Sequence, residues 1–257
     1  RLIAFDVDDD AIEYASWRLK DYKNLTIIKG SYKDIDIHLK NLGIEKITGG
    51  TIFDLGASYH QLTSQNRGFS FLKDAPLDMR FNQEQDFCAW DIVNKYSKDD
   101  LTAIFSKYGE ERFSKRIAQA IINKRPINTT LELSNLIIES TPKIKSKIHP
   151  ATRVFQALRI EVNHELLNFE NTLKKVINLS EINAIISVLS FHSLEDRIAK
   201  NTLKAYASCR CDKYALVCSC GGRMIELINK KPITASTEEL KINPPSRSAK
   251  LRIAKRI

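Results

Sequence analysis

The stretch Thr51-Ile52-Phe53-Asp54-Leu55-Gly56-Ala57-Ser58-Tyr59-His60-Gln61-Leu62 decides how this chain is read. An apolar run meets an acid, then a glycine, then a polar segment. A strand ending this way is where an open α/β sheet places its ligand site. The plain alternative is a strand followed by a turn, with Asp54 merely opening the loop.

Upstream, Leu2 to Val7 reads as a short buried strand that ends in Asp6, Asp8, Asp9 and Asp10. A helix is predicted from about Ala11 to Lys20, since Ile12, Ala15 and Leu19 are spaced for one face. Leu25 to Ile28 is a second strand, followed by Gly30-Ser31-Tyr32, and Ile35 to Leu42 is a second helix. Strand, helix, strand, helix, strand is the signature of a parallel α/β sheet. Acids at such strand ends commonly bind ribose hydroxyls, and Asp6 has that position. Its alternative role is to stabilise a helix N-terminus, which suits Asp8 to Asp10 better.

Downstream, Gln65 to Arg80 reads as a long polar loop carrying aromatics, a composition that points to function rather than disorder. From about Asp86 to Lys175 the pattern is helical. Helices are predicted over Ala89 to Tyr96, twice within Asp99 to Asn123 with a break at Tyr108-Gly109-Glu110-Glu111, and over Leu131 to Ser140 with Thr130 as N-cap. A long helix is predicted from Ala151 to Ile177, because Phe155, Leu158, Val162, Leu166, Phe169 and Leu173 form one apolar stripe. Strand–loop–helix order resumes at Ala184 to Leu189 and Ser190-Phe191-His192-Ser193-Leu194-Glu195-Asp196-Arg197. Arg223 to Ile228 and Ala249 to Ile257 read as two paired strands.

A net charge of +9 favours polyanionic partners. No run of about 18 apolar residues is present, so no membrane span is expected. The absence of a signal-peptide pattern points to a soluble intracellular protein. Cys209, Cys211, Cys218 and Cys220 could supply four thiolates to zinc. One residue within each pair is a shorter spacing than zinc sites use, so the preferred reading assigns no metal.

Several blocks carry a resemblance: Arg67-Gly-Phe-Ser-Phe with Pro76-Leu-Asp-Met-Arg80, Tyr108-Gly-Glu-Glu-Arg112, His149-Pro-Ala-Thr-Arg153 with Phe155-Gln-Ala-Leu-Arg159, Ser190-Phe-His-Ser-Leu-Glu-Asp-Arg197, and Arg247-Ser-Ala-Lys-Leu-Arg252. In this order they resemble the ribosomal RNA small subunit methyltransferase H family, S-adenosylmethionine-dependent enzymes that methylate N4 of a cytosine in 16S rRNA near the decoding centre. The resemblance implies an α/β, Rossmann-like methyltransferase sheet interrupted by an all-helical insertion. It divides the chain into a first methyltransferase part (1–84), a helical substrate-recognition insertion (85–160) and a second methyltransferase part (161–257). It implies S-adenosylmethionine as cofactor, 16S rRNA in the small ribosomal subunit as partner, and a bacterial cytoplasmic or, in a eukaryote, mitochondrial location.

By motif, the resemblance implies that Asp6, Tyr32, Asp54 and Gln61 hold the cofactor, with Asp6 at its ribose and Tyr32 beside its adenine. Asp54 and His192 are the catalytic candidates; His192 alternatively only fixes the strand–helix turn. Arg67, Arg80, Arg112, Lys115, Arg116, Lys147, Arg153 and Arg159 are candidate RNA contacts, with solvated basic faces as the alternative. Arg112, Lys115 and Arg116 are spaced for one helix face. Departures from the family include Ser58-Tyr59-His60-Gln61-Leu62-Thr63, Glu181-Ile182-Asn183 and Asn243-Pro244-Pro245-Ser246-Arg247-Ser248. The family's glycine-rich cofactor loop and first strand are missing, since the chain opens at Arg1 inside an apolar run; a missing N-terminal piece and weak cofactor binding are expected. The rival function is a catalytically impaired RNA-binding or ribosome-assembly protein. A methyltransferase of another amino substrate is a third.

Overall fold

A computed structural model describes residues 1–257 apart from Gln65, 143–147, Arg210 and 212–221. The chain forms two compact units. One contains Arg1–Lys29 and Ala57–Glu165, the other Gly30–Gly56 and Leu166–Ile257.

In the first unit, β1 (Leu2–Asp6) pairs in parallel with β2 (Leu25–Lys29) through the helix α1 (Asp9–Arg18). Asp8 caps α1, its side chain accepting the Asp10 N–H. Helices α3 (Tyr59–Thr63), α4 (Ala89–Lys95), α5 (Lys98–Lys107), α6 (Ser114–Lys124), α7 (Thr130–Ser140) and α8 (Thr152–Asn163) make up most of the rest. Their core gathers Leu77, Met79, Ile92, Leu101, Phe105, Ile117, Ile121, Leu133, Ile137 and Leu158. Full burial of each such side chain contributes about 1.5–3 kcal/mol, so the helical block is held by its apolar stripes. Ser97 and Thr129 cap α5 and α7 in the way helix termini require.

In the second unit, β3 (Gly50–Asp54) pairs in parallel with β4 (Ile185–Ser190). The strand β7 (Lys250–Arg256) runs antiparallel to β4, and β5 (Ile225–Leu227) and β6 (Ile233–Thr234) both pair antiparallel with β7. Parallel neighbours need a crossover connection; here it is the chain from Leu55 to Ala184. In β4, Ile186 and Val188 are fully buried while their neighbours are half-exposed, the two-residue alternation of a strand. The helices are α2 (Ile35–Asn41), most of α9 (Glu165–Leu179), α10 (Ser193–Tyr206) and α11 (Thr237–Ile242). Phe169, Leu173, Val176 and Ile177 of α9 are buried at helical spacing, and Phe169 meets Phe53 of β3 edge-on at 5.5 Å. The architecture is α/β and Rossmann-like. Among the described residues, no helix is long and apolar enough to cross a membrane.

Four local expectations change. The three N-terminal strands belong to two sheets, β1 with β2 and β3 with β4. The long helix over 151–177 is two helices, because His164 adopts a left-handed conformation (φ 49°) between α8 and α9. Asn163 explains the stop: it donates to the Met79 carbonyl and accepts the Phe81 N–H, both at 2.8 Å. Thr129, not Thr130, caps α7; the buried Thr130 hydroxyl donates instead to the Lys73 carbonyl. Arg112 lies in the turn before α6, so it does not share a helix face with Lys115 and Arg116.

Candidate active site

Two strand ends carry the acids singled out from the sequence, one in each unit. At the end of β1, Asp6 Oδ1 accepts the N–H groups of Val7 (2.7 Å) and Asp8 (2.9 Å). Its Oδ2 has no protein partner among the described residues. Desolvation pushes the Asp6 carboxyl above its ordinary value, even though both N–H bonds favour the charged form.

Asp8, two residues on, is only 3% exposed and fully engaged. It receives Arg67 Nη2 at 2.8 Å and Gln61 Nε2 at 2.5 Å. Burial alone would raise its pKa, but the Arg67 and Gln61 bonds outweigh that and hold it below the usual carboxylate range. The Arg67 guanidinium, 5% exposed, also bonds Asp10 and the carbonyls of Arg80 and Phe81. Arg67 therefore ties the β1–α1 turn to the 67–81 loop. An arginine so enclosed has no donor facing out toward an RNA phosphate. Gln61 is committed as well: its Oε1 accepts the Ser58 N–H in a capping box that starts α3.

The same loop bends sharply. Gly68 has φ +68°, and a Cβ there would run into the Pro76 carbonyl. Met79, fully buried, has φ 61°, a conformation costing a non-glycine residue about 1–3 kcal/mol. Its N–H donates to the Arg67 carbonyl at 3.0 Å and its carbonyl accepts from Asn163. Arg80 turns onto Asp78 through Nε (2.9 Å) and Nη2 (2.8 Å). Of the aromatic rings between positions 59 and 71, Tyr59 is 75% exposed, Phe69 is buried on Phe81, and Phe71 lies on His149 at 4.5 Å.

In the second unit, Asp54 closes β3 opposite Leu189 of β4. Its carboxylate is solvent-accessible and has no hydrogen-bond or ion-pair partner among the described residues. Gly56 follows with φ +90°, a left-handed turn that suits glycine. Across β4, His192 caps α10. The reciprocal residue is Glu195, 2% exposed, which accepts the N–H groups of Phe191 (2.7 Å) and His192 (3.2 Å). His192 Nε2 lies 3.1 Å from Glu195 Oε1, so the ring is fixed in place by its own helix terminus. Desolvation and then the Glu195 charge push the Asp54 carboxyl above its ordinary value. Glu195 is the residue that sequence reasoning missed. The available signal was His192-Ser193-Leu194-Glu195 before an apolar run, the spacing of a capping box. Tyr32 follows β2 in a short turn capped by Ser31 and meets Phe53 edge-on at 6.2 Å.

The basic candidates separate by burial. Arg112, Lys115 and Arg116 are exposed; Arg153 donates to the Glu110 carbonyl, and Arg159 forms a two-point pair with Glu165 at 2.8 and 3.0 Å. Lys147, Cys218 and Cys220 lie outside the described residues. Cys209 is exposed and Cys211 half-buried.

An open carboxylate at the end of a parallel strand can accept hydrogen bonds from a hydroxyl or an amino group and, with its raised pKa, can take up a proton. Comparison with known proteins shows what the whole chain is similar to. The model of the MraW methylase family matches residues 1–257. The ribosomal RNA small subunit methyltransferase H of Caldicellulosiruptor bescii is 48% identical over 100% of this chain and 85% of its own length. Proteins of the same name from Persephonella marina and Clostridium botulinum (strain Loch Maree) are 47% and 45% identical; each match covers all of this chain and 84% and 85% of the relative. With a family match running from the first residue to the last and identities near one half, the chain belongs to the MraW methylase family, a family of methyltransferases.

Proposed function

We propose that the chain is an S-adenosylmethionine-dependent methyltransferase acting on the exocyclic N4 of a cytidine in 16S rRNA near the decoding centre. The observation that carries this reading is the open Asp54 carboxylate at the end of β3, raised in pKa by desolvation and Glu195. The names of the relatives, ribosomal RNA small subunit methyltransferase H, support the substrate.

S-adenosylmethionine supplies an activated methyl on a sulfonium. Taken unit by unit, the residues suit it: in the first, Asp6 has Oδ2 available for a ribose hydroxyl, and in the second, Asp54 offers an unpaired carboxylate. Tyr32 is assigned to the adenine by motif. Gln61, tied to Asp8 and Ser58, serves by fixing the loop. The N4 lone pair of cytosine is conjugated into its ring. A carboxylate accepting an N4–H bond favours the reactive geometry, and orientation supplies much of the rate. The amino nitrogen that would receive the methyl has to lose a proton, and Asp54, an open carboxylate with a raised pKa, would accept it. His192, held by Glu195, keeps the β4–α10 turn rigid beside it.

In this reading residues 85–160 recognise RNA. Arg112, Lys115, Arg116 and Arg153 meet phosphates, and Lys147 joins them by motif. Arg67, Arg80 and Arg159 act by holding the loops that carry the contacts. The target base must leave its stack to be reached, and exposed Tyr59 is a ring for it. A small-subunit substrate puts the work of the enzyme in the bacterial cytoplasm. The test incubates the protein with labelled S-adenosylmethionine and small ribosomal subunits, then digests the RNA to nucleosides. N4-methylcytidine is the expected product. Subunit binding without any methyl transfer would replace this reading with that of an assembly protein.

A further inference from the structure

A basic pocket of about 310 Å³ lies on the second unit, between the C-terminal half of α10, the β5–β6 connection and β7. Its floor is apolar, formed by Leu203, Leu227 and Ile253, and its rim carries Lys200, Lys204 and Lys230. None of these lysines makes an ion pair among the described residues. Among the described residues, no acid lines the pocket. The nearest acid on α10, Asp196, is occupied by Arg252 Nε (2.7 Å) and Lys250 (3.3 Å). Burial would raise Asp196, but the Arg252 bond and these charges hold its carboxyl below the usual range, so it stays ionised and paired rather than neutralising the rim. The pocket thus has net positive charge. Asn229, on its wall, spends its amide inside the protein: Nδ2 donates to the Lys231 and Leu251 carbonyls, and Oδ1 accepts the Ile253 N–H. It has no free edge with which to read a base.

We infer that this pocket is a second RNA contact, seating one nucleotide of a single-stranded or flipped segment with its phosphates on Lys200, Lys204 and Lys230 and its ribose or base on the apolar floor. Lys200 and Lys204 stand one helical turn apart on α10, where side chains are neighbours. Two ammonium groups in a row suit a strand that presents successive phosphates. Without a reading group, the contact is blind to sequence: it positions the substrate while specificity is set elsewhere. The surface role of α10 lysines is otherwise only to complement the helix terminus; that role gives no reason for Lys230, which lies outside the helix.

This inference rests on the rRNA reading above, and the test separates the two. A Lys200→Gln/Lys204→Gln/Lys230→Gln variant is compared with a charge-matched control, Lys20→Gln/Lys23→Gln/Lys40→Gln, all exposed lysines. Binding to a 16S rRNA fragment is measured from low to high salt. Losing three phosphate contacts makes the log–log salt slope shallower by about 2 and weakens binding near 0.1 M salt by about 100-fold. The control should move the slope by much less. Equal slopes for the two variants overturn the pocket while leaving the function intact. Wild-type protein that fails to bind the fragment also overturns the pocket, whereas the rRNA reading falls only if no methyl is transferred to small subunits.

Discussion

Asp8 and Asp54 sit just after or at the ends of parallel strands, yet they are opposite kinds of carboxylate. Asp8 is buried, receives a two-point bond from Arg67 and one from Gln61, and is held below its ordinary pKa. Asp54 is open, unpartnered and pushed above it by desolvation and Glu195. The contrast shows what each one does. A buried charge with all its bonds made belongs to the framework. A carboxylate that is open to solvent, without a protein partner among the described residues and raised in pKa is available to react, and perturbed groups of this kind cluster at functional sites.

The sharpest way to break the comparison is to remove the framework partner. Arg67→Ala leaves Asp8 charged and buried, and should cost about 3–5 kcal/mol in urea unfolding. A loss below 1 kcal/mol would mean that the pair is not a framework element. Next in size, Asp54→Asn keeps the shape but removes the proton acceptor. Methyl transfer to small subunits should fall by about 100- to 1,000-fold, while the melting temperature holds or rises. Unchanged transfer would take the reacting role from Asp54.

The smallest effect is in the pH dependence, where the two acids differ in sign. The folded pKa of Asp8 is depressed, so its stabilisation is complete above the unfolded value near 4 and is lost as pH falls through the lower folded value. The folded pKa of Asp54 is raised, so stability is lost as pH climbs from the unfolded value through the higher folded one. In melting series, the deficit of Asp8→Asn should therefore shrink in acid. Any gain from Asp54→Asn should appear above pH 4 and vanish below it. Parallel curves for both variants would erase the distinction.

Much of this was legible in the sequence. The Asp54 strand end, the β4 strand, the two helices within 99–123 and the apolar stripe from Phe155 to Leu173 follow from local pattern alone. The helix break at His164 was not, because the apolar stripe continues through it and the cause, Asn163 bonding to Met79 and Phe81, is distant in sequence. Arg67 was read as a surface contact for the same reason: in a polar loop nothing nearby announces a carboxylate at position 8. The helix α3 and the role of Glu195 were in principle readable, since Ser58–Gln61 and His192–Glu195 have capping-box spacing. A Gln or Glu that serves a helix terminus looks no different from one that faces solvent until the strand before it is placed.

The parallel pairing of β3 with β4 has a consequence for how the protein is made. During synthesis β3 leaves the ribosome while β4, which starts only at Ile185, does not yet exist. By then the segment that folds between them has had time to form its own helices, which need only nearby contacts. Helices formed within that stretch shorten the flexible chain that closure must span, and a shorter flexible loop costs less entropy to close. The order of elements along the chain thus makes assembly of the β3–β4 sheet the late step, and with it the placement of Asp54 beside the β4–α10 turn.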